Sequence, residues 1–129
     1  RALVAQLPQM PEDERLRRKI AESYEAGIVN EKVVLPQMPD DSQEHVFHIY
    51  AVLVKEREKF VEHLKNSGIM TNIHYPTPIM EQEAYQEWKG QVEHYPVTRR
   101  ICAEEVSLPL YPGMTQGEIN RVIACVNEF

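Results

Sequence analysis

The sequence predicts an α/β fold: a small sheet of about three to four strands, mixed or antiparallel, covered by helices. Three observations predict it. His45 to Val54 reads as a nearly continuous apolar, β-branched and aromatic run, the composition of a central strand covered on both faces. Before and after it lie segments whose apolar residues recur at helical spacing, each with one apolar side. A chain of 129 residues is long enough for one domain with a modest core and too short for two comfortable ones.

In chain order, the apolar start Ala2 to Leu7 breaks at Pro8, as if a helix of a preceding region ended there. Pro11 then opens a helix whose Glu12, Asp13 and Glu14 suit the positive end of its dipole. Leu16, Ile20, Ala21 and Tyr24 mark the inner face, and Gly27 supplies the stop. Arg15, Arg17, Arg18 and Lys19 read as a solvated face in preference to a phosphate site. Val33 to Leu35 is a candidate short strand, followed by a loop marked by Pro36, Pro39, Asp40, Asp41 and Ser42. In the central strand His45 and His48 are an odd number of residues apart, so they point to opposite faces and make a poor metal pair. Lys55 to Ser67 is an amphipathic helix burying Phe60, Val61 and Leu64, with Gly68 in the left-handed position after its last turn.

Ile69 to His74 then reads as a short strand running into the proline loop. Gln82 to Trp88 is a short helix with Ala84, Tyr85 and Trp88 inward. Pro96 opens another, with Val97, Ile101 and Val106 as its apolar stripe and Arg99 and Arg100 on the wet side. Ser107 to Tyr111 is extended, and Pro109 inside it marks an edge strand or strand end. Thr115 and Glu118 form a capping box over the last helix, whose Ile119, Val122, Ile123 and Val126 face the core.

Composition excludes several function classes. With 20 acidic against 14 basic residues and no basic stripe, nucleic acid and anionic membrane are poor partners. No apolar run approaches the ~20 residues of a membrane span. Cys102 and Cys125 fall in predicted helices without CxxC spacing, which suits free thiols in a reducing, cytoplasmic compartment, although a disulfide between them stays open. The five glycines form no phosphate loop, no nucleophile elbow is present, and the histidines are dispersed, so neither metal ligands nor catalytic residues are assigned.

What remains is Gly68 to Pro78. An imidazole and a phenol, His74 and Tyr75, follow a strand and precede two prolines, which hold Tyr75 and Thr77 out of helix. Polar groups on a stiff loop suit a binding site, because little entropy is left to lose when a ligand arrives. A structural turn with a half-buried tyrosine is the other reading.

From the central strand onwards the sequence resembles the C-terminal domain of the DegT-type sugar aminotransferases, pyridoxal-phosphate enzymes of the aspartate aminotransferase fold. The motifs that carry the resemblance are His74-Tyr75-Pro76-Thr77-Pro78, similar to the family's H-Y-P-x-P, and Ser107-Leu108-Pro109-Leu110-Tyr111-Pro112, similar to its S-L-P-l-y-P. Between and around them Arg57 to Gly68, Gln82 to Tyr85, Tyr95-Pro96-Val97 and Thr115 to Phe129 follow the family order, and Ala2 to Tyr24 resembles its helices at the hand-over between domains. Met80 stands where many members have a histidine.

The resemblance implies that residues 1–129 are a single small domain, with residues 1–27 a linker and helix from the boundary with a large N-terminal domain. It implies a keto-sugar substrate, nucleotide-linked and of surface polysaccharide or antibiotic sugar biosynthesis, an amino-acid donor and a homodimer. His74 and Tyr75 are the implied substrate-binding residues, donating to hydroxyls or phosphate oxygens. Pyridoxal phosphate would be bound by the full-length enzyme and not by this part alone, because none of Lys19, Lys32, Lys55, Lys59, Lys65 and Lys89 resembles the Schiff-base lysine. This part by itself would then be inactive. A freestanding binding or regulatory module of the same fold is the alternative, and a purely structural role for the loop a third.

Overall fold

The computed structural model describes residues 4, 7–41 and 44–129. Most of the apolar start, and Ser42, lie outside the described residues.

Helix α1 (Met10–Gly27) carries Pro11 in its first turn with Glu12 and Asp13, and buries Ile20, Ala21 and Tyr24. It ends at Gly27 as expected, without a left-handed turn there: the glycines with positive φ are Gly68, Gly90 and Gly113. A Cβ on Gly27 would meet Ile123 Cδ1 at 2.8 Å, so this glycine lets the last helix come close to the end of α1. The chain leaves the helix because Ile28 turns extended while its N–H still donates to the Tyr24 carbonyl.

Strands β1 (Val33–Val34), β2 (Tyr50–Val54) and β3 (Glu105–Leu108) form a three-stranded sheet in the order β1-β2-β3. Both pairings are antiparallel, with Val34 opposite Leu53 and Val52 opposite Val106. β2 is therefore central, and its Tyr50, Val52 and Val54 are buried. It is shorter than its composition suggests. His45 to Ile49 is not strand, because Phe47 takes a left-handed backbone with φ 47°, uncommon for a residue with a side chain, and its N–H donates to His45 Nδ1 at 2.9 Å. That turn drops Phe47 into the core beside Tyr50, whose ring meets Tyr24 edge-on. His45 and His48 are both exposed, so the opposite-face expectation has no strand to act on.

Helix α2 (Arg57–Asn66) buries Phe60 and Leu64 and leaves Val61 half-buried. Gly68 turns the chain at φ 75°, and the Ile69 N–H returns to the Leu64 carbonyl. The strand expected over Ile69 to His74 shrinks to one bridge, Asn72 against Ser107. Side chains have taken the backbone donors a strand would use: Ile73 N–H donates to Asn72 Oδ1 and His74 N–H to Glu105 Oε2.

Three short 3-10 turns follow, Ile79–Glu81, Glu83–Trp88 and Gln91–His94. The second replaces the expected helix and breaks at Tyr85. Ala84, Tyr85 and Trp88, expected inward, are exposed, and the two rings stack on each other at 5.3 Å. Helix α3 (Pro96–Glu104) buries none of its residues. Val97 is 68% and Ile101 40% exposed, whereas Val106 belongs to β3 and is buried. The apolar stripe is real in sequence and has no partner among the described residues.

Helix α4 (Gln116–Asn127) packs Ile119, Val122, Cys125 and Val126 into the core behind the predicted capping box. Thr115 Oγ1 accepts from Glu118 N–H at 3.2 Å, and the Glu118 carboxylate accepts from Thr115 N–H at 2.7 Å. The bond from the Thr115 N–H, with others from the Thr115 and Tyr111 hydroxyls, holds the Glu118 carboxyl below the ordinary glutamate range. A depressed carboxyl supports the fold above its unfolded pKa and loses that support as pH falls through the folded value. Thr115→Ala is expected to cost about 1 kcal/mol at neutral pH, read by urea unfolding, and less once Glu118 is protonated.

Tyr24 donates to the Pro109 carbonyl at 2.6 Å, while the buried Tyr50 hydroxyl has no partner. Tyr50→Phe is accordingly expected to be neutral or to stabilise by up to about 1 kcal/mol in the same assay. Cys125 is buried, Cys102 half-buried, and both are free thiols. No helix is long and apolar enough to cross a membrane among the described residues.

Candidate functional site

The Asn72 bridge lays residues 72–74 along the edge of β3. Glu105 and Ser107, two apart on one strand, point to the same face of it and meet the loop there. Glu105 is 2% and Ser107 5% exposed. Glu105 Oε2 accepts from the His74 N–H at 2.7 Å, and its other oxygen accepts a short hydrogen bond from the Ser107 hydroxyl. Ser107 Oγ lies 2.9 Å from His74 Nδ1, and Asn72 Nδ2 lies 3.1 Å from His74 Nε2. Every polar atom around the imidazole has a partner.

Tyr75 is placed differently. It is 71% exposed, its ring edge-on to His74 at 5.5 Å, and the peptide bond joining the two residues is cis. Pro76 and Thr77 are exposed, and Pro78 is buried and ties the loop down. The two sequence-predicted residues are therefore adjacent but unlike: a half-buried, fully bonded imidazole and a phenol turned outward.

His74 forms one wall of an open groove that includes His48, Thr71, Asn72, Ser107 and Leu110. The groove offers hydroxyl, amide and imidazole groups and no carboxylate or cation in its lining, so it suits a neutral polar ligand. No lysine lines it; Lys32 donates to the Phe129 carbonyl, Lys59 pairs with Glu56, and all six are exposed. These residues therefore supply no buried amine for covalent capture of an aldehyde. No group of three or more His, Cys, Asp or Glu side chains could hold a metal ion among the described residues.

Sequence reasoning found His74 and Tyr75 and missed Asn72 and Glu105. Ser107 was noticed only as a motif letter. The available signal was an acidic residue two before that serine in a strand whose every residue is buried, since a carboxylate in such a place needs partners.

Comparisons with known proteins come to the same part of protein space. A model described as the DegT/DnrJ/EryC1/StrS aminotransferase family matches residues 2–127. The chain is 42% identical over 127 residues to a dTDP-3-amino-3,6-dideoxy-alpha-D-galactopyranose transaminase of Aneurinibacillus thermoaerophilus, covering 98% of this chain and 34% of that protein. It is 32% identical over 117 residues to a dTDP-3-amino-3,4,6-trideoxy-alpha-D-glucose transaminase of Micromonospora megalomicea subsp. nigra, covering 87% and 31%. Among solved structures it superposes on S. venezuelae DesV, a complex with a ketimine intermediate, with a TM-score of 0.88 and 27% identity, over 98% of this chain and 34% of that one. The chain thus spans about a third of the length of the relatives it matches.

Proposed function

This chain belongs to the DegT/DnrJ/EryC1/StrS aminotransferase family, and from that premise we propose that it is the substrate-side, C-terminal small domain of a pyridoxal-phosphate-dependent aminotransferase acting on a nucleotide-linked keto sugar. The observation that carries this reading is the groove at His74, whose lining has polar groups and no charged side chain, with the exposed phenol of Tyr75 next to His74 in the chain. His74 and Tyr75 position the sugar; the exposed Tyr75 hydroxyl is free to donate to a hydroxyl or a phosphate oxygen. The two sugar-nucleotide transaminases similar to this chain support a dTDP-linked deoxy sugar as the substrate class.

The described residues do not fit the cofactor's needs, since pyridoxal phosphate takes its Schiff base from a lysine and none lines the groove. That lysine, the phosphate cup and the pyridinium partner belong in this reading to a larger N-terminal domain, with α1 at the boundary. The exposed Val97 and Ile101 at helical spacing on α3 support such a covering partner, because an apolar helix stripe is the face that packs against a neighbour. An amino-acid donor and a homodimer complete the proposed enzyme.

The test is an absorbance titration with pyridoxal phosphate of this chain and, beside it, of the chain with its native upstream sequence. Schiff-base absorbance is expected in the longer protein alone. The same absorbance in the 129-residue chain would overturn the division of labour, and its absence from both would overturn the enzyme reading.

A further inference from the structure

The hydrogen bonds around His74 run in one direction only. At one end, Ile73 N–H donates to Asn72 Oδ1 at 3.0 Å. A backbone N–H has no choice of role, so the Asn72 amide oxygen is fixed there and its NH₂ is what faces His74 Nε2. That nitrogen must accept. At the other end, Glu105 has only acceptors to offer as a carboxylate. One oxygen takes the His74 N–H, and the other takes the Ser107 hydroxyl proton. Ser107 Oγ, having spent its proton, must accept from His74 Nδ1. Both ends call for the neutral imidazole with its proton on Nδ1; the buried Glu105–Ser107 pair is the end that fixes it, whereas the exposed Asn72 amide can turn away.

Glu105 is an unusual residue for this place. It is 2% exposed and takes part in none of the ion pairs among the described residues. A buried carboxylate without a cation is costly and persists only where hydrogen bonds satisfy it. Here one of those bonds comes from the His74 loop and the other from Ser107 on the same strand, which itself meets His74.

We propose that Glu105, acting through Ser107, is a positioning residue that fixes His74 as a hydrogen-bond acceptor toward the groove, so that His74 recognises a donor group of the substrate, a sugar hydroxyl, and not a phosphate oxygen. Asn72 holds the acceptor in the free protein; its side chain is on an exposed residue, and an arriving hydroxyl takes its place without any change of proton positions. A phosphate oxygen offers only lone pairs at this atom and is repelled. This narrows the chemistry of the proposed substrate contact and rests on that reading for its kinetic consequence, though not for its tautomer.

The experiment has two arms. The first is ¹⁵N-histidine-labelled protein, with long-range ¹H–¹⁵N correlations recorded well above the ordinary imidazole pKa range. His74 is expected as the single Nδ1–H tautomer. In Glu105→Gln the His74 N–H claims the new amide oxygen, leaving the NH₂ to face Ser107; the Ser107 hydroxyl then donates to Nδ1 and the tautomer switches to Nε2–H. Should Glu105→Gln fail to fold, the pair Ser107→Ala and Ser107→Thr decides: alanine releases the tautomer into a mixture and threonine, keeping a hydroxyl, restores Nδ1–H. An Nε2–H signal in the unsubstituted protein, or Nδ1–H unchanged in both Glu105→Gln and Ser107→Ala, overturns the proposal.

The second arm follows transamination of the probe dTDP-3-amino-3,6-dideoxy-α-D-galactopyranose by the full-length enzyme. Glu105→Gln is expected to raise KM about tenfold with kcat within about twofold, consistent with the loss of one hydrogen bond, while the inhibition constant of dTDP stays unchanged. If dTDP weakens in parallel, the contact is to phosphate or the damage is general, and the hydroxyl assignment falls. A tautomer switch with no change in KM sinks the substrate contact and leaves the network standing.

Discussion

Phe60→Ala is expected to cost the fold about 3–5 kcal/mol, a large share of the roughly 5–15 kcal/mol that holds a domain folded. Phe60 is fully buried and its ring meets Phe129 edge-on at 5.1 Å, so truncation removes both the burial and an aromatic contact. The surroundings cannot easily collapse into the space. On one side lies the hydrogen-bonded sheet and on the other α4, held in place by its capping box. Phe60→Leu, which keeps most of the volume, should cost well under half as much. Urea unfolding of both variants checks the difference. A loss below about 1 kcal/mol for alanine would mean that α2 is not docked on the sheet in solution. The consequence reaches the site, because α2 ends at the Gly68 turn and Ile69, buried just beyond it, anchors the chain that leads to His74.

How much of this was legible in the sequence depends on what kind of force sets each part. Tyr50 to Val54 is strand because its side chains demand burial on the sheet, and composition records that demand. His45 to Ile49 has the same composition and is not strand, because one left-handed residue at Phe47 redirects the chain, and no periodicity announces a single backbone angle. The capping box at Thr115 and Glu118 was legible because its chemistry is local, spanning three residues. Gly27 was located correctly as a helix end, but its close approach to Ile123 was not legible, since that contact comes from a helix nearly a hundred positions away.

The stripe on α3 shows the opposite case. Val97 and Ile101 follow a helical period that reads as core, yet both are exposed; a pattern states that a face wants cover and says nothing of which polypeptide supplies it. At the site, His74 and Tyr75 stood out by residue type and by the prolines behind them. Asn72, Ser107 and Glu105 did not, because what ties them to His74 is a chain of donors and acceptors closed between two segments some thirty positions apart.

His74→Ala separates a substrate contact from a structural one. The substitution leaves the His74 N–H on Glu105 and the Ser107 hydroxyl on the same carboxylate, so the buried acid keeps both of its partners. What goes is the ring: the bond to Ser107 Oγ, the bond from the exposed Asn72, and the wall it forms in the groove. Loss of stability should therefore stay near 1 kcal/mol. In the full-length enzyme kcat/KM for the nucleotide-linked sugar should fall about 10- to 100-fold, on the order of 1.4–2.7 kcal/mol of lost transition-state binding, because a sugar hydroxyl loses both its partner and its orientation. Cofactor absorbance should be retained, since the groove contains no lysine. Equal loss of cofactor loading and substrate turnover would assign His74 to folding. An unchanged kcat/KM would move substrate recognition off His74, to Tyr75 or Thr77, which are exposed on the same loop.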